Sequence, residues 1–181
     1  MQTDIRSAPH SGDVLRNVVD GTPYRAVDVF GPTMEFLSGP DDSGTQYCVM
    51  RGVVPAGVII PLHSHEDAED FFILSGAQQV LMPDEDQSLR WYDVSAGDYL
   101  HIPGGHPHAH RNVSDEPAIE LVITTARLGR FFRDIARPAA DGARGLSPDD
   151  LAEFVVAATK YGYVLGTPEE NAAFGMELGP L

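Results

Sequence analysis

Basic residues are scarce in this chain: 12 Lys and Arg stand against 27 Asp and Glu over 181 residues, a formal charge of −15 at pH 7. Lys160 is the only lysine. Nucleic-acid binding is built from Lys and Arg that neutralise phosphates, and anionic membrane surfaces select for the same residues. The expected partners therefore include neither nucleic acid nor membrane. Cysteine is scarcer still. Cys48 stands alone, which excludes an internal disulfide and a Cys-based zinc cluster. No apolar run approaches the roughly 18 residues needed to span a bilayer. Residues 1–12 are polar and lack the apolar core of a signal peptide. With the lone thiol, these absences lead to the expectation of a reducing, cytoplasmic setting.

What is present is an ordinary globular composition, 43% hydrophobic and 22% charged. The length suits one domain, or one domain with an appendage, able to bury roughly 70% of its unfolded surface. Histidine is distributed unevenly. Of seven, six fall between His63 and His110, and four of those lie between His101 and His110.

From Tyr24 onward, short β-prone runs alternate with turn residues at the spacing of a sandwich or barrel. The runs are Tyr24–Phe30, Met34–Leu37, Gln46–Val54, Val58–Leu62, Asp70–Leu74, Gln78–Met82, Leu89–Tyr92, Tyr99–Ile102, His108–Val113 and Ala118–Thr125. Gly31-Pro32, Gly39-Pro40, Gly57, Gly76, Gly97 and Pro103-Gly104-Gly105 supply the breaks. After Thr125 the period changes. Leu128, Phe131, Phe132 and Ile135 have helical spacing, bounded by Pro138. A second helix opens at Ser147-Pro148-Asp149-Asp150 and stops at Gly162, and Thr167-Pro168-Glu169-Glu170 repeats the start signal. The layout predicts an N-terminal arm over residues 1–23, a β barrel over 24–126 and a helical extension over 127–181 packed on or near it. Phe71-Phe72-Ile73-Leu74 is apolar on both faces of a strand, so one face needs a cover. A second copy of the chain, as a homodimer, is one candidate, and the C-terminal extension is the other.

His63 and His65 point to one face of an extended strand, and Glu69 follows after a short turn. His106, His108 and His110 share one parity on a later strand. Two antiparallel elements can therefore direct three imidazoles and one carboxylate into one interior, a donor set suited to first-row transition metals.

Here the spacing carries a resemblance. Gly57, His63, His65, Glu69 and Gly76 stand at the positions of the first motif of the cupin superfamily, and Gly97, Pro103, Gly105, His108 and Asn112 at those of its second. The chain is thus identified as resembling that superfamily. The resemblance implies an all-β double-stranded β-helix, or jelly-roll barrel, with His63, His65, Glu69 and His108 as ligands of one divalent transition metal. Iron, manganese, nickel or cobalt fits that set, and zinc is possible. It also implies tight turns at Gly57, Gly76, Gly97 and Gly105. Many cupins carry an aromatic at position 110, so His110 is a departure; its parity points it into the same cavity, as a catalytic or substrate-contacting residue or a buried histidine with no chemical role. His106 is expected in the loop at the mouth, solvated, and His101 has no motif role.

Single-barrel cupins with a helical extension resemble quercetin 2,3-dioxygenase-like proteins. That points to a metal-dependent dioxygenase acting on a small aromatic or enolisable compound, with Glu69 as ligand and base. The alternatives are a non-catalytic protein that holds metal and small molecule, and a cupin isomerase. Phe71 or Phe72, Tyr92 and Tyr99 are candidates for an aromatic lining, against simple core packing. Arg127, Arg130, Arg133 and Arg137 follow helical spacing. They form either a solvated face or a basic rim over the barrel mouth.

Overall fold

The computed structural model describes residues 15, 17–22, 24–40, 46–139 and 147–177, so most of the arm expected over 1–23 lies outside the described residues. In chain order the strands of the barrel are β1 (Val27–Asp28), β2 (Thr33–Ser38), β3 (Tyr47–Val54), β4 (Ile59–Ser64), β5 (Glu69–Ser75), β6 (Ala77–Pro83), β7 (Leu89–Ser95), β8 (Tyr99–Ile102), β9 (His108–Arg111) and β10 (Ala118–Thr125). Helix α1 (Ala126–Ile135), β11 (Arg137–Pro138), α2 (Pro148–Tyr161), β12 (Val164–Leu165) and α3 (Pro168–Ala173) follow. One sheet runs β11-β1-β2-β3-β10-β5-β8 and the other β12-β4-β9-β6-β7. All pairings are antiparallel, and the two sheets form a jelly roll.

Period-2 alternation accounts for the inner surface. On β10, Ala118, Glu120, Val122 and Thr124 are buried while the residues between them are half-buried. Beside them lie Met50 of β3, Phe71 and Ile73 of β5 and Val80 of β6, all in one apolar core. On β9 the alternation vanishes: His108, Ala109 and His110 are all buried. The outer side of this strand is covered by Leu62, Leu81 and Met176, with Trp91 and Phe174 against them. The chain's last described segment is thus a brace for the second sheet. Asn171, fully buried, anchors it: its Oδ1 accepts from the Leu62 amide at 2.9 Å and its Nδ2 donates to the Gly166 and Thr167 carbonyls.

The helical signals after Thr125 hold. Thr125 caps α1, Ser147 and Thr167 each form a capping box with the acid three residues on, and Gly162 ends α2 in the left-handed conformation. Gly57, Gly76, Gly97 and Gly105 all have positive φ, as tight turns require. Three expectations are corrected. The strand expected over Tyr24–Phe30 shrinks to two paired residues, because Phe30 takes a φ of 67° and turns the chain away. The helical extension is not purely helical: β11 joins β1, and β12 joins β4. Two-residue strands are too short to show any alternation in sequence. Finally, β4 and β5 reach further than expected and include His63 and Glu69 themselves.

Candidate metal centre

Four donors meet at one end of the barrel. His63 lies near the end of β4, His65 follows that strand, Glu69 opens β5 and His108 opens β9. His63 and His108 are direct partners across the β4–β9 ladder, and their ring centroids are 4.1 Å apart. One donor atom from each of the four residues lies within 4.8 Å of all the others, and all four side chains are buried.

The imidazoles are oriented by the backbone. His63 Nδ1 donates to the Pro61 carbonyl at 2.7 Å, His65 Nδ1 to the Asp67 carbonyl at 2.9 Å, and His108 Nδ1 to the His106 carbonyl at 2.9 Å. With the proton on Nδ1, each Nε2 presents a lone pair. His65 Nε2 is buried without a hydrogen-bond partner although Glu69 Oε2 stands 3.2 Å away, and His108 Nε2 is 3.3 Å from the same oxygen. Ring nitrogens and a carboxylate this close need positive charge among them, supplied by protons on the imidazoles or by a metal ion. The residues present fit a divalent metal, and the Nδ1 contacts are the outer supports such ligands use.

Ionisation follows the same geometry. Burial, then the neighbouring His108, holds His63 well below the usual imidazole range. Burial also pulls His65 down, but Glu69 beside it outweighs that and raises it. For Glu69 burial favours the neutral acid, and His108 and His65 overcome it, keeping the carboxyl well below the ordinary range. The cluster as a whole favours positive charge at its centre.

Residues 50–124 match a family model described as Cupin domain, spanning both histidine motifs. The barrel has the jelly-roll fold of the cupins, and this stretch is similar to their domain. Over 70 residues the chain is 37% identical to dimethylsulfoniopropionate lyase DddQ of Ruegeria pomeroyi, a stretch that makes up 39% of this chain and 32% of that protein. The chain therefore matches about a third of the length of that curated relative. The crystal structure of the lyase is similar with a TM-score of 0.38 at 34% identity, over 45% of this chain and 39% of the other. An uncharacterised conserved protein with a double-stranded β-helix domain from Klebsiella pneumoniae gives a TM-score of 0.49 at 16% identity, over 63% of this chain and 90% of that one.

Around the four donors of the cupin barrel, the structure sorts the remaining candidates. His110 is buried, its ring 4.9 Å from Phe71 and 5.8 Å from His108, and its Nδ1 has no partner. Burial, then His108, lowers it to about 3, so it is neutral. His106 is half-buried and His101 is exposed, bonded through Nδ1 to Asp70 outside the barrel.

The expected aromatic lining is corrected. Phe71 is inside, but Phe72 faces outward with 40% of its surface exposed, because adjacent strand residues take opposite faces. Tyr99 is also outside, donating to Asp70 at 2.5 Å, whereas Tyr92, paired with the buried Val80, is on the inner face at the sheet's edge, beside Asp84. The aromatic that does reach the ligands is Tyr163. Its ring stacks on His63 at 4.7 Å and on Phe131 at 4.6 Å. Burial, then Glu69, pushes its hydroxyl well above the ordinary range. Nothing near Tyr163 in sequence marks it, since it follows the Gly162 stop and lies about a hundred residues from the motif it covers.

The basic rim does not take the expected form. Arg137 is held by Asp28 and Asp150, and Arg130 donates to the Pro40 carbonyl. Arg127 instead grips Asp67, between two of the ligands.

Proposed function

We propose that this chain is a metal-dependent enzyme acting on a small carboxylate-bearing molecule, and that its reaction is a lyase elimination of the kind performed on dimethylsulfoniopropionate. The observation that carries the metal is the trio of Nδ1 contacts, which leaves three Nε2 lone pairs and Glu69 facing one another. The partial likeness to the lyase supports the reaction class. A bound divalent ion would supply Lewis acidity to substrate oxygens.

Elimination from a β-sulfonio carboxylate removes a proton from the carbon beside the carboxylate. That electron pair becomes the C=C bond of acrylate, and the C–S pair leaves with dimethyl sulfide. In this reading Glu69, ionised and so free to accept, takes the proton although its environment makes it a weak base, and His110, neutral with an unpartnered Nδ1, holds a substrate oxygen.

A second reading, a quercetinase-like dioxygenase acting on an aromatic or enolisable compound, is favoured by two rings near the donors: Tyr163 stacked on His63 and Phe71 against His110. The experiment that separates them starts with elemental analysis of protein purified without added metal. Reconstituted protein is then given dimethylsulfoniopropionate with headspace detection of dimethyl sulfide, and flavonols and diketones with an oxygen electrode. Stoichiometric metal with dimethyl sulfide release is the expected result, and oxygen uptake instead selects the second reading. Metal without turnover of any of these leaves a binding protein or an isomerase, and no metal after reconstitution overturns both enzymatic readings.

Phe72 is paired across the ladders with Leu121 and Tyr99, a short apolar strip on the outer face of the seven-stranded sheet, flanked by Asp70 on one side and the Arg51–Glu35 pair on the other. In the same reading a second copy of the chain covers Phe72 and Leu121, removing their apolar surface from water. Light scattering should show a dimer that Phe72→Glu dissociates; a monomeric parent protein removes the idea.

A further inference from the structure

Two of the four metal donors, His65 and Glu69, bracket the short loop Glu66–Ala68. A three-residue loop between ligands sets their separation, so whatever holds it sets the shape of the cradle. Four contacts hold it. From one side the Gly105 amide donates to the His65 carbonyl at 2.7 Å. Gly104 passes so close to the Glu66 carbonyl that a side chain there would collide with it. From the other side the Thr124 hydroxyl donates to the Ala68 carbonyl at 2.8 Å. The fourth contact is a charged one.

Asp67 is buried at the centre of the loop, and its backbone carbonyl is the acceptor for His65 Nδ1. Its carboxylate is bound by a fork: Arg127 Nη2 donates to Oδ2 at 2.7 Å and Nε to Oδ1 at 3.2 Å, with the Thr125 hydroxyl also on Oδ1. The third arm of the same guanidinium, Nη1, donates to the Tyr161 carbonyl at 3.0 Å, at the end of α2. Two residues further on, Tyr163 stacks on His63. One side chain on the first turn of α1 therefore ties the ligand loop to the segment that carries the aromatic cover of the ligands.

We propose that Arg127 is a positioning residue for the metal centre, acting through Asp67 to hold His65 and Glu69 at binding separation and through Tyr161 to place Tyr163 against His63. This rests on the cradle binding a metal. The bland alternative is a half-exposed ion pair that only adds stability. Geometry argues against it. Only the arginine side is open to water, with 41% of its side chain exposed; the carboxylate is 6% exposed. Removing Arg127 strands a buried charge beside the carbonyl that orients His65, and the loop must move to solvate it. Lysine cannot reproduce the fork and the third arm together.

The test uses cobalt(II) as probe on the full chain, with chelator competition for affinity, the visible d–d spectrum for geometry, and thermal unfolding of metal-free protein. Arg127→Ala should weaken cobalt binding roughly 10- to 100-fold, the range typical of lost outer supports, and alter the spectrum. Arg127→Lys should recover part of that loss. Arg130→Ala, whose partner is the distant Pro40 carbonyl, should bind as the parent does. A folded Arg127→Ala protein with parental affinity and spectrum, changed only in unfolding temperature, overturns the proposal. Should that variant fail to fold, Asp67→Asn carries the same test, since it keeps the carbonyl and the shape and removes the charge that the fork holds. Failure of the parent to bind cobalt is a different result: it removes the metal reading itself.

Discussion

Two carboxylates sit on the inner face of the same sheet, and they are in opposite states. Glu69 pairs across the ladder with Thr124, and Glu120 lies four residues back along β10, a separation of about 13 Å at the usual rise per strand residue. Both are buried, and burial pushes both toward the neutral acid. At Glu69 two imidazoles within 3.3 Å outweigh that push. At Glu120 the neighbour is one amide, Gln78 Nε2 at 2.5 Å, and Gln78 Oε1 has no partner. A single neutral donor is too little, and with Glu69's charge adding to the effect, Glu120 is pushed up to about 8. Depth in the barrel therefore does not decide whether a carboxylate is ionised. The surrounding groups do, and they suit one end of this interior to a cation and leave the other neutral.

The comparison can be broken most forcefully at the cation end. His63→Ala or Glu69→Gln should abolish stoichiometric metal, with affinity falling by more than the roughly 100-fold that marks the upper range for outer supports. Elemental analysis after dialysis reads this directly, and a His63→Ala protein that retains full metal would sink the ligand assignment.

A smaller but distinct effect belongs to the neutral end. With its folded value near 8 and an unfolded value near 4.5, Glu120 holds a proton in the folded state that the unfolded chain has lost. Its contribution is complete below about pH 4.5 and is lost as pH rises toward 8, on the order of a few kcal/mol across that window. Glu120→Gln should flatten this part of the stability profile in urea titrations between pH 5 and 8, and unfold later than the parent at the alkaline end. Loading the cradle with a divalent ion should make the parent's slope shallower, because the ion offsets the charge of Glu69. An unchanged slope in Glu120→Gln would show that the group is ionised after all.

The smallest effect is expected outside the barrel, where Asp70 accepts from Tyr99 and from His101 Nδ1 at 2.7 Å in partial contact with water. Asp70→Asn should change stability by no more than about 1 kcal/mol and leave metal content as it was. A larger change would mean that this outer cluster supports the sheet more than its exposure implies.

Much of the four-donor end is legible in the chain itself. His63 and His65 two apart, Glu69 after a turn, and His108 after Pro103-Gly104-Gly105 are short-range features, and strand parity carries their side chains to one face. His110 was placed inside on the same ground and is there, although its role is still a proposal. Parity read less well where one residue decides between two faces: Phe71 and Phe72 are chemically identical neighbours, and only one is inside. The Asp67 fork and the Tyr163 stack had no such signature. Arg127 was one of four arginines in a helical row, and nothing local distinguishes the one that bends over Asp67, 60 residues earlier.

By itself, then, the sequence determined the alternating strands, the glycine turns, the helix caps and the donor set, because each depends on residues a few positions apart. Tertiary structure alone decided which arginine holds the ligand loop, which tyrosine covers the ligands, and how the last segment braces the second sheet. It also decided that Glu69 is charged while Glu120 is neutral. Those outcomes depend on which groups the closed barrel brings within hydrogen-bonding distance after burial has removed water as the alternative partner.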